Sequence, residues 1–242
     1  MSQKLVVGNW KMFGSRAMAA ELLQLLRDAN LPSVVCPPYP YLLMAADLLA
    51  GSAVKVGAQD LEYRDEGAYT GEVSGPMLRD VGCSHVIVGH SERRALYGEN
   101  DALVVEKVRA ALRHGLTPVV CVGEHLEQRQ RGLAKRVVLD QLNAVINGIG
   151  AESFARVLVA YEPVWAIGSG VAATLDDVAE MHVAMRAALR DANCDGVALL
   201  YGGSVKPDNA GQLLSLHAVD GVLVGGASLV ADSFLRICSA AK

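Results

Sequence analysis

The sequence predicts an α/β fold, a single (βα)8 barrel in which eight parallel strands are ringed by helices. Three observations lead there. Short runs rich in β-branched residues are apolar at every position, as strands buried on both faces must be, and such strands pair in parallel. The stretches between them carry apolar residues at the 3.6-residue period of a helix. Eight such pairs in 242 residues leave about 30 residues each, the size of one βα unit. No linker, charge block or low-complexity segment marks a boundary, so residues 1–242 read as one domain. A doubly wound open sheet fits the same periodicity, and the pattern alone leaves it open.

In chain order, the first strand is Leu5-Val6-Val7, and the helix after it is striped by Met18, Leu22, Leu25, Leu26 and Ala29. Val34-Val35-Cys36 is the second strand, and the weaker run from Val54 to Ala58 is the third. Behind the fourth, Val86-Ile87-Val88, Ser91 and Glu92 open a short helix, which sets His90 near a helix N-terminus. Val104, Val108, Ala111 and Leu112 form the next apolar stripe, ended by Gly115. The fifth strand, Val119-Val120-Cys121-Val122, precedes the stripe of Val138, Leu142, Val145 and Ile146. Val157-Leu158-Val159-Ala160 is the sixth, and Thr174 with Asp177 three residues on caps the helix of Val178, Met181, Met185 and Leu189. Val197-Ala198-Leu199-Leu200 and Val222-Leu223-Val224 complete the eight.

Composition removes several classes. Lys and Arg number 22 against 26 Asp and Glu, a formal net charge of −4 that argues against an electrostatic grip on nucleic acid or anionic lipid. No apolar run nears the roughly 18 residues of a membrane span, and the N-terminal apolar stretch is too short for a signal peptide. The five cysteines (36, 83, 121, 194 and 238) are odd in number and lack CxxC spacing. They read as small buried residues in a reducing compartment, so a cytoplasmic location is expected. No histidine spacing suggests a zinc site.

Barrel ligands meet the carboxyl ends of the strands, and here those ends carry Asn9 and Lys11, Gln59, His90, Glu162, Gly202-Gly203-Ser204 and Gly225-Gly226. The paired glycines follow the last two strands, where backbone N–H groups can converge on a phosphate; the alternative is a pair of tight turns. Glu162 opens a segment, Pro163 to Gly170, that mixes glycine with Val164, Trp165 and Ile167. It reads either as a solvated loop carboxylate or as a base under a cover that expels water. His90, at a helix N-terminus, reads as a structural residue or as a neutral ring donating to a carbonyl oxygen. Lys11 is a surface charge, a counter-charge to an anion or a Schiff-base nucleophile.

Longer segments then carry a resemblance. Gly8-Asn9-Trp10-Lys11-Met12, Val88 to Arg94 (Val-Gly-His-Ser-Glu-Arg-Arg), Ala160 to Gly168 (Ala-Tyr-Glu-Pro-Val-Trp-Ala-Ile-Gly), Tyr201-Gly202-Gly203-Ser204-Val205 and Gly221 to Leu229 occur in the order of the triosephosphate isomerase family. The chain resembles that family over almost its whole length.

The resemblance implies a TIM barrel that interconverts dihydroxyacetone phosphate and D-glyceraldehyde 3-phosphate through an enediolate, a step of glycolysis and gluconeogenesis. It implies Glu162 as the base, neutral His90 as the electrophile, and Lys11 and Asn9 as stabilisers of negative charge. The phosphate would be held at Gly168, Ser204, Gly225 and Gly226. Glu92 would support Lys11, and Ser91 and Cys121 would stand beside the site. No metal or organic cofactor is implied. The family is usually homodimeric, which here would send the loop 67–74, with Thr70 at its tip, into a second copy; an ordinary surface loop is the alternative.

Departures from the family pattern fall at Val171-Ala172-Ala173, Ser169, Asp60, Ala198 and Val230. Asp60, where Asn is usual, is expected to add a negative charge near the dimer face. Two other functions remain in view at this point: another phosphosugar barrel enzyme, such as an epimerase or Schiff-base aldolase, and an inactive barrel used for binding. The strand runs between Val86 and Val224 contain no lysine, which disfavours the aldolase.

Overall fold

The computed structural model describes residues 4–168 and 172–242. The strands β1 (Leu5–Asn9), β2 (Ser33–Cys36), β3 (Val54–Ala58), β4 (His85–Val88), β5 (Thr117–Val122), β6 (Leu158–Tyr161), β7 (Leu199–Tyr201) and β8 (Gly221–Val224) pair in sequence order. Every pairing is parallel, and β8 returns to β1 with Leu5 opposite Gly221 and Gly8 opposite Val224. That closure removes the doubly wound sheet.

The uniformly apolar strands are explained by two cores. Val7, Val34, Ile87, Val119, Cys121, Ala160, Leu200 and Leu223 fill one small cluster. Their immediate neighbours, among them Val6, Val35, Val86, Val88, Val120, Val159 and Val222, pack in a second, larger cluster with the helices. Successive residues point to opposite faces, so both sets must be apolar. Val157 and Val197, expected at the starts of strands, lie just ahead of β6 and β7. Their N–H groups are spent on turns, to the carbonyls of Phe154 and Cys194, both at 3.0 Å, and cannot join the ladder.

The helices follow the periodic stripes. After β1, α1 (Arg16–Ala29) is capped by the Ser15 hydroxyl, which accepts from Met18 N–H at 3.2 Å, and buries Ala19, Leu22, Leu23 and Leu26. Leu25 and Ala29, expected on its apolar stripe, are exposed because the buried face is turned toward Ala19 and Leu23. Next come α2 (Leu42–Leu49), α3 (Gly75–Asp80), the short α4 (Ser91–Tyr97) and α5 (Asp101–Arg113). They are followed by α6 (Leu126–Gln130), α7 (Ala134–Ile149), α8 (Ala151–Phe154) and α9 (Leu175–Asp191). The expected capping box stands at α9: Thr174 Oγ1 accepts from Asp177 N–H at 3.1 Å and Asp177 Oδ2 from Thr174 N–H at 3.0 Å. The chain closes with α10 (Pro207–Ser215) and α11 (Ala231–Ala240). Among the described residues no helix is long and apolar enough to cross a membrane.

One buried polar group makes a stability prediction. His182 on α9 is fully buried, its Nδ1 3.1 Å from the carbonyl of Ala218. Burial pushes its pKa down to about 4. The unfolded chain therefore takes up this proton first, so stability is complete above the ordinary histidine value near 6.5 and is lost as pH falls toward 4. Urea unfolding at pH 7 and pH 4.5 is expected to show His182→Asn losing about 2 kcal/mol less than the parent over that interval. Equal losses in the two proteins would remove His182 from the account.

Candidate active site

The polar residues at the strand ends converge on one cavity of about 400 Å³ at the carboxyl end of the barrel. Asn9, Lys11, His90, Glu162, Gly168, Ser204, Gly225 and Gly226 all line it. Glu92, Ser91 and Cys121 stand beside it, whereas Thr70 sits on an exposed loop and does not line this copy's cavity. Ser169 and Val171 lie outside the described residues.

Lys11 is held in an unusual backbone state. Its φ is +53°, a left-handed value that costs a non-glycine residue on the order of 1 kcal/mol and persists only when its surroundings impose it. Asn9 Oδ1 accepts from Lys11 N–H at 2.9 Å, and Gln59 Nε2 donates to the Lys11 carbonyl at 2.9 Å and to the Cys36 carbonyl at 2.8 Å. The ammonium donates to Glu92 Oε1 at 2.5 Å.

His90 caps α4 in place of the usual Ser or Asp. Its Nδ1 accepts from Glu92 N–H at 3.2 Å, so in this arrangement Nδ1 carries no proton and Nε2 is the N–H. Nε2 lies 2.9 Å from Glu162 Oε1. Burial disfavours the imidazolium, but the Glu162 carboxylate beside it outweighs burial and raises the ring's pKa. A proton added at Nδ1 would face the Glu92 N–H, so the cap of α4 works against the imidazolium that the Glu162 carboxylate favours.

Glu162 is 1 % exposed. Burial alone would raise its pKa; His90, the Ser91 N–H that donates to Oε2 at 2.8 Å, and Lys11 outweigh it and keep the carboxylate ionised. Directly behind it, Cys121 lies within the barrel wall, its thiol pushed well up by burial and by Glu162. It is a neutral packing group.

The segment after Glu162 differs from expectation. Its described part is more packed than a loop of apolar side chains need be: Val164–Ala166 form one 3-10 turn, Ala166 is buried and Trp165 half-buried. Trp165 Nε1 donates to Glu124 Oε1 at 2.8 Å, and the same oxygen accepts from Tyr161 Oη at 3.1 Å. Glu124 follows β5 and has no exposure. Reading the end of the fifth strand by the same rule as the others would have found it.

Asp60 is a second correction. The negative charge it was expected to add is buried and offset: the residue is 4 % exposed, and its carboxylate is paired with Lys107 and Arg93. The pairing residues come from α5 and α4, which local sequence around Asp60 cannot reveal.

The fold and this cavity define a class: a (βα)8-barrel enzyme whose pocket sets a buried carboxylate and a histidine opposite a lysine and glycine-rich turns. The triosephosphate isomerase family model matches residues 4–241. The triosephosphate isomerase of Azoarcus sp. (strain BH72) is 53 % identical over 243 residues, covering all of both chains. That of Dechloromonas aromatica (strain RCB) is 50 % identical over 249 residues, again covering both completely. A crystal structure of triosephosphate isomerase from Bartonella henselae superposes with a TM-score of 0.90 at 42 % identity, covering 99 % of each chain. This chain belongs to the triosephosphate isomerase family. It is an isomerase of glycolysis and gluconeogenesis that interconverts dihydroxyacetone phosphate and D-glyceraldehyde 3-phosphate through an enediolate.

Proposed function

We propose that Glu162 is the base that moves the proton, that His90 is the neutral electrophile, and that Lys11 and Asn9 stabilise the developing negative charge. The observation that carries this reading is the tautomer of His90: its donor edge, Nε2, faces Glu162 across a cavity shared with Lys11. A substrate carbonyl oxygen seated there would receive the Nε2–H and the Lys11 ammonium, which together favour an enediolate over a ketone. Glu162 would first leave the Ser91 N–H, since in its resting contacts the carboxylate is stabilised and correspondingly weak as a base. The Gly168, Ser204, Gly225 and Gly226 backbones would take the phosphate, with Glu92 steering Lys11 and Ser91 parking the base. Replacing Glu162 in a coupled assay of the two triose phosphates tests the assignment.

The active form on this reading is a cytoplasmic homodimer of single-domain subunits. All five cysteines are free and buried, in keeping with a reducing compartment. Met12 is 93 % exposed, and Phe13, Leu43, Tyr69, Leu96 and Tyr97 are exposed beside the loops that follow β1 to β4. Large apolar residues on four consecutive connections between strands, Leu43 on α2 and Leu96 and Tyr97 on α4 among them, make one edge of the barrel suited to a second copy. The 67–74 loop is shaped for insertion: Arg64 stacks between the rings of Tyr63 and Tyr69, 4.2 and 4.4 Å from their centres. Replacing residues 67–72 with two glycines is expected to give a monomer with kcat/KM reduced about tenfold or more, as Lys11 and His90 lose outside support. Sedimentation analysis finding the parent's dimer intact would overturn the assembly proposed here.

A further inference from the structure

Lys11 is gripped from two directions, and both grips lead to one buried cluster. Gln59, which holds the Lys11 carbonyl, is followed in sequence by Asp60; Glu92, which holds the ammonium, is followed by Arg93. Asp60 and Arg93 meet directly, Oδ2 to Nη2 at 2.8 Å. Lys107 from α5 donates to both oxygens of Asp60, at 2.6 and 2.8 Å, and to Glu99. Arg93 Nε donates to Glu99 Oε1 at 2.6 Å, so two acids and two cations are cross-linked. Asp60, Glu99 and Lys107 are each 4 % exposed. The Asp60 carbonyl is held as well, by Tyr39 Oη at 2.7 Å.

We propose that Asp60 is a positioning residue for Lys11, joining the end of β3 to α4 so that the lysine's backbone and ammonium are fixed in one frame. The lysine needs such a frame because its left-handed φ is not a conformation it would keep unaided. Asp60 is the one member of the cluster adjacent to Gln59, and its carboxylate is the direct link from that end to Arg93. Removing it breaks the link and leaves the buried Lys107 and the half-buried Arg93 sharing Glu99 alone. The frame then loosens at both of its contacts with Lys11. A displacement of about 1 Å in a charged group that meets the substrate is enough to cost affinity and rate.

The cluster also gives this role an acid limit. Burial pushes the Asp60 carboxyl up to about 6, against the lowering pull of Lys107 and Arg93 and with Glu99 adding to the rise. As pH falls through that value the carboxyl gains a proton, its hold on the two cations weakens, and the grip on Lys11 slackens.

The inference rests on Lys11 meeting the substrate's charge, and the experiment separates the two. KM for dihydroxyacetone phosphate and the inhibition constant of inorganic phosphate are measured at pH 8 for the parent, Lys11→Ala, D60A and D60N. D60A is expected to raise both constants about tenfold while changing kcat less. D60N, which keeps one oxygen for Lys107 or Arg93, is expected to recover most of that loss. Both constants are then followed from pH 8 to pH 5.5 in the parent and D60N. Substrate and phosphate titrate alike in the two, so the extra acid-side rise expected in the parent alone belongs to Asp60. A folded D60A with parental constants overturns the proposal. Should D60A not fold, superimposable pH profiles for the parent and D60N overturn it instead. Parental constants in Lys11→Ala would overturn the role of Lys11 itself.

Discussion

Glu162→Gln is expected to lower kcat by about 10²–10⁴ while the fold survives. The amide keeps the side chain's length and an oxygen that can accept the Ser91 N–H, now at 2.8 Å from Oε2. What it loses is a lone pair basic enough to take a proton from carbon. The amide nitrogen also meets His90 Nε2, presently 2.9 Å from Oε1, donor against donor. KM should change little, because the side chain acts on the proton and not on the phosphate. Steady-state kinetics beside a thermal melt make the check. A Gln variant with near-parental turnover would remove Glu162 from the proposed role.

Gly123→Ala is expected to damage both stability and rate, for a purely steric reason. A Cβ at residue 123 would lie 1.8 Å from the carbonyl oxygen of Glu162 and 2.8 Å from its carbonyl carbon. Both are backbone atoms and have no rotamer to escape into, so the ends of β5 and β6 must part. Overpacking of this kind costs about 1–3 kcal/mol, or more where only backbone can yield. In a protein of this size that lowers Tm by about 2–4 °C per kcal/mol. Because the displaced residue is Glu162, kcat should fall as well. Gly196→Ala serves as the control, since nothing lies within 4 Å of a Cβ there. If Gly123→Ala melts and turns over like that control, the contact between the strand ends is not a constraint in solution.

Much of the candidate site was legible along the chain because barrel geometry turns sequence position into spatial position. A residue just past an apolar run lies at the carboxyl end of a strand, and that alone brought Asn9, Lys11, His90, Glu162 and the two Gly-Gly pairs to one cavity. The cap at His90 was legible too, since a helix start is a local event: its Nδ1 meets an N–H only two residues away. The rule failed where a residue's environment is made by elements distant in sequence. Asp60 reads only as an added negative charge until α4 and α5 supply its cations. Nothing local to Trp165 shows that Glu124, 41 residues earlier, takes its indole N–H.

The sequence by itself determined the fold class, the order of strands and helices and the family, because hydrophobic period, caps and strand-end motifs are written over short windows of chain. Tertiary structure settled whether the sheet closes, which hydrophobic period left open, since nothing in the pattern of one strand distinguishes an edge from a strand that finds its partner more than 200 residues away. It decided the left-handed backbone of Lys11, imposed by Asn9 and Gln59, and the resting contact of Glu162 with Ser91. It also decided the charge state favoured at two buried acids. The Glu162 carboxylate is favoured by His90, Ser91 and Lys11, whereas the Asp60 carboxyl is pushed up by burial despite two cations. The physical reason is common to all of these: a side chain's pKa and conformational freedom depend on which dipoles and charges surround it after water has been excluded, and those neighbours are assembled only when the barrel closes.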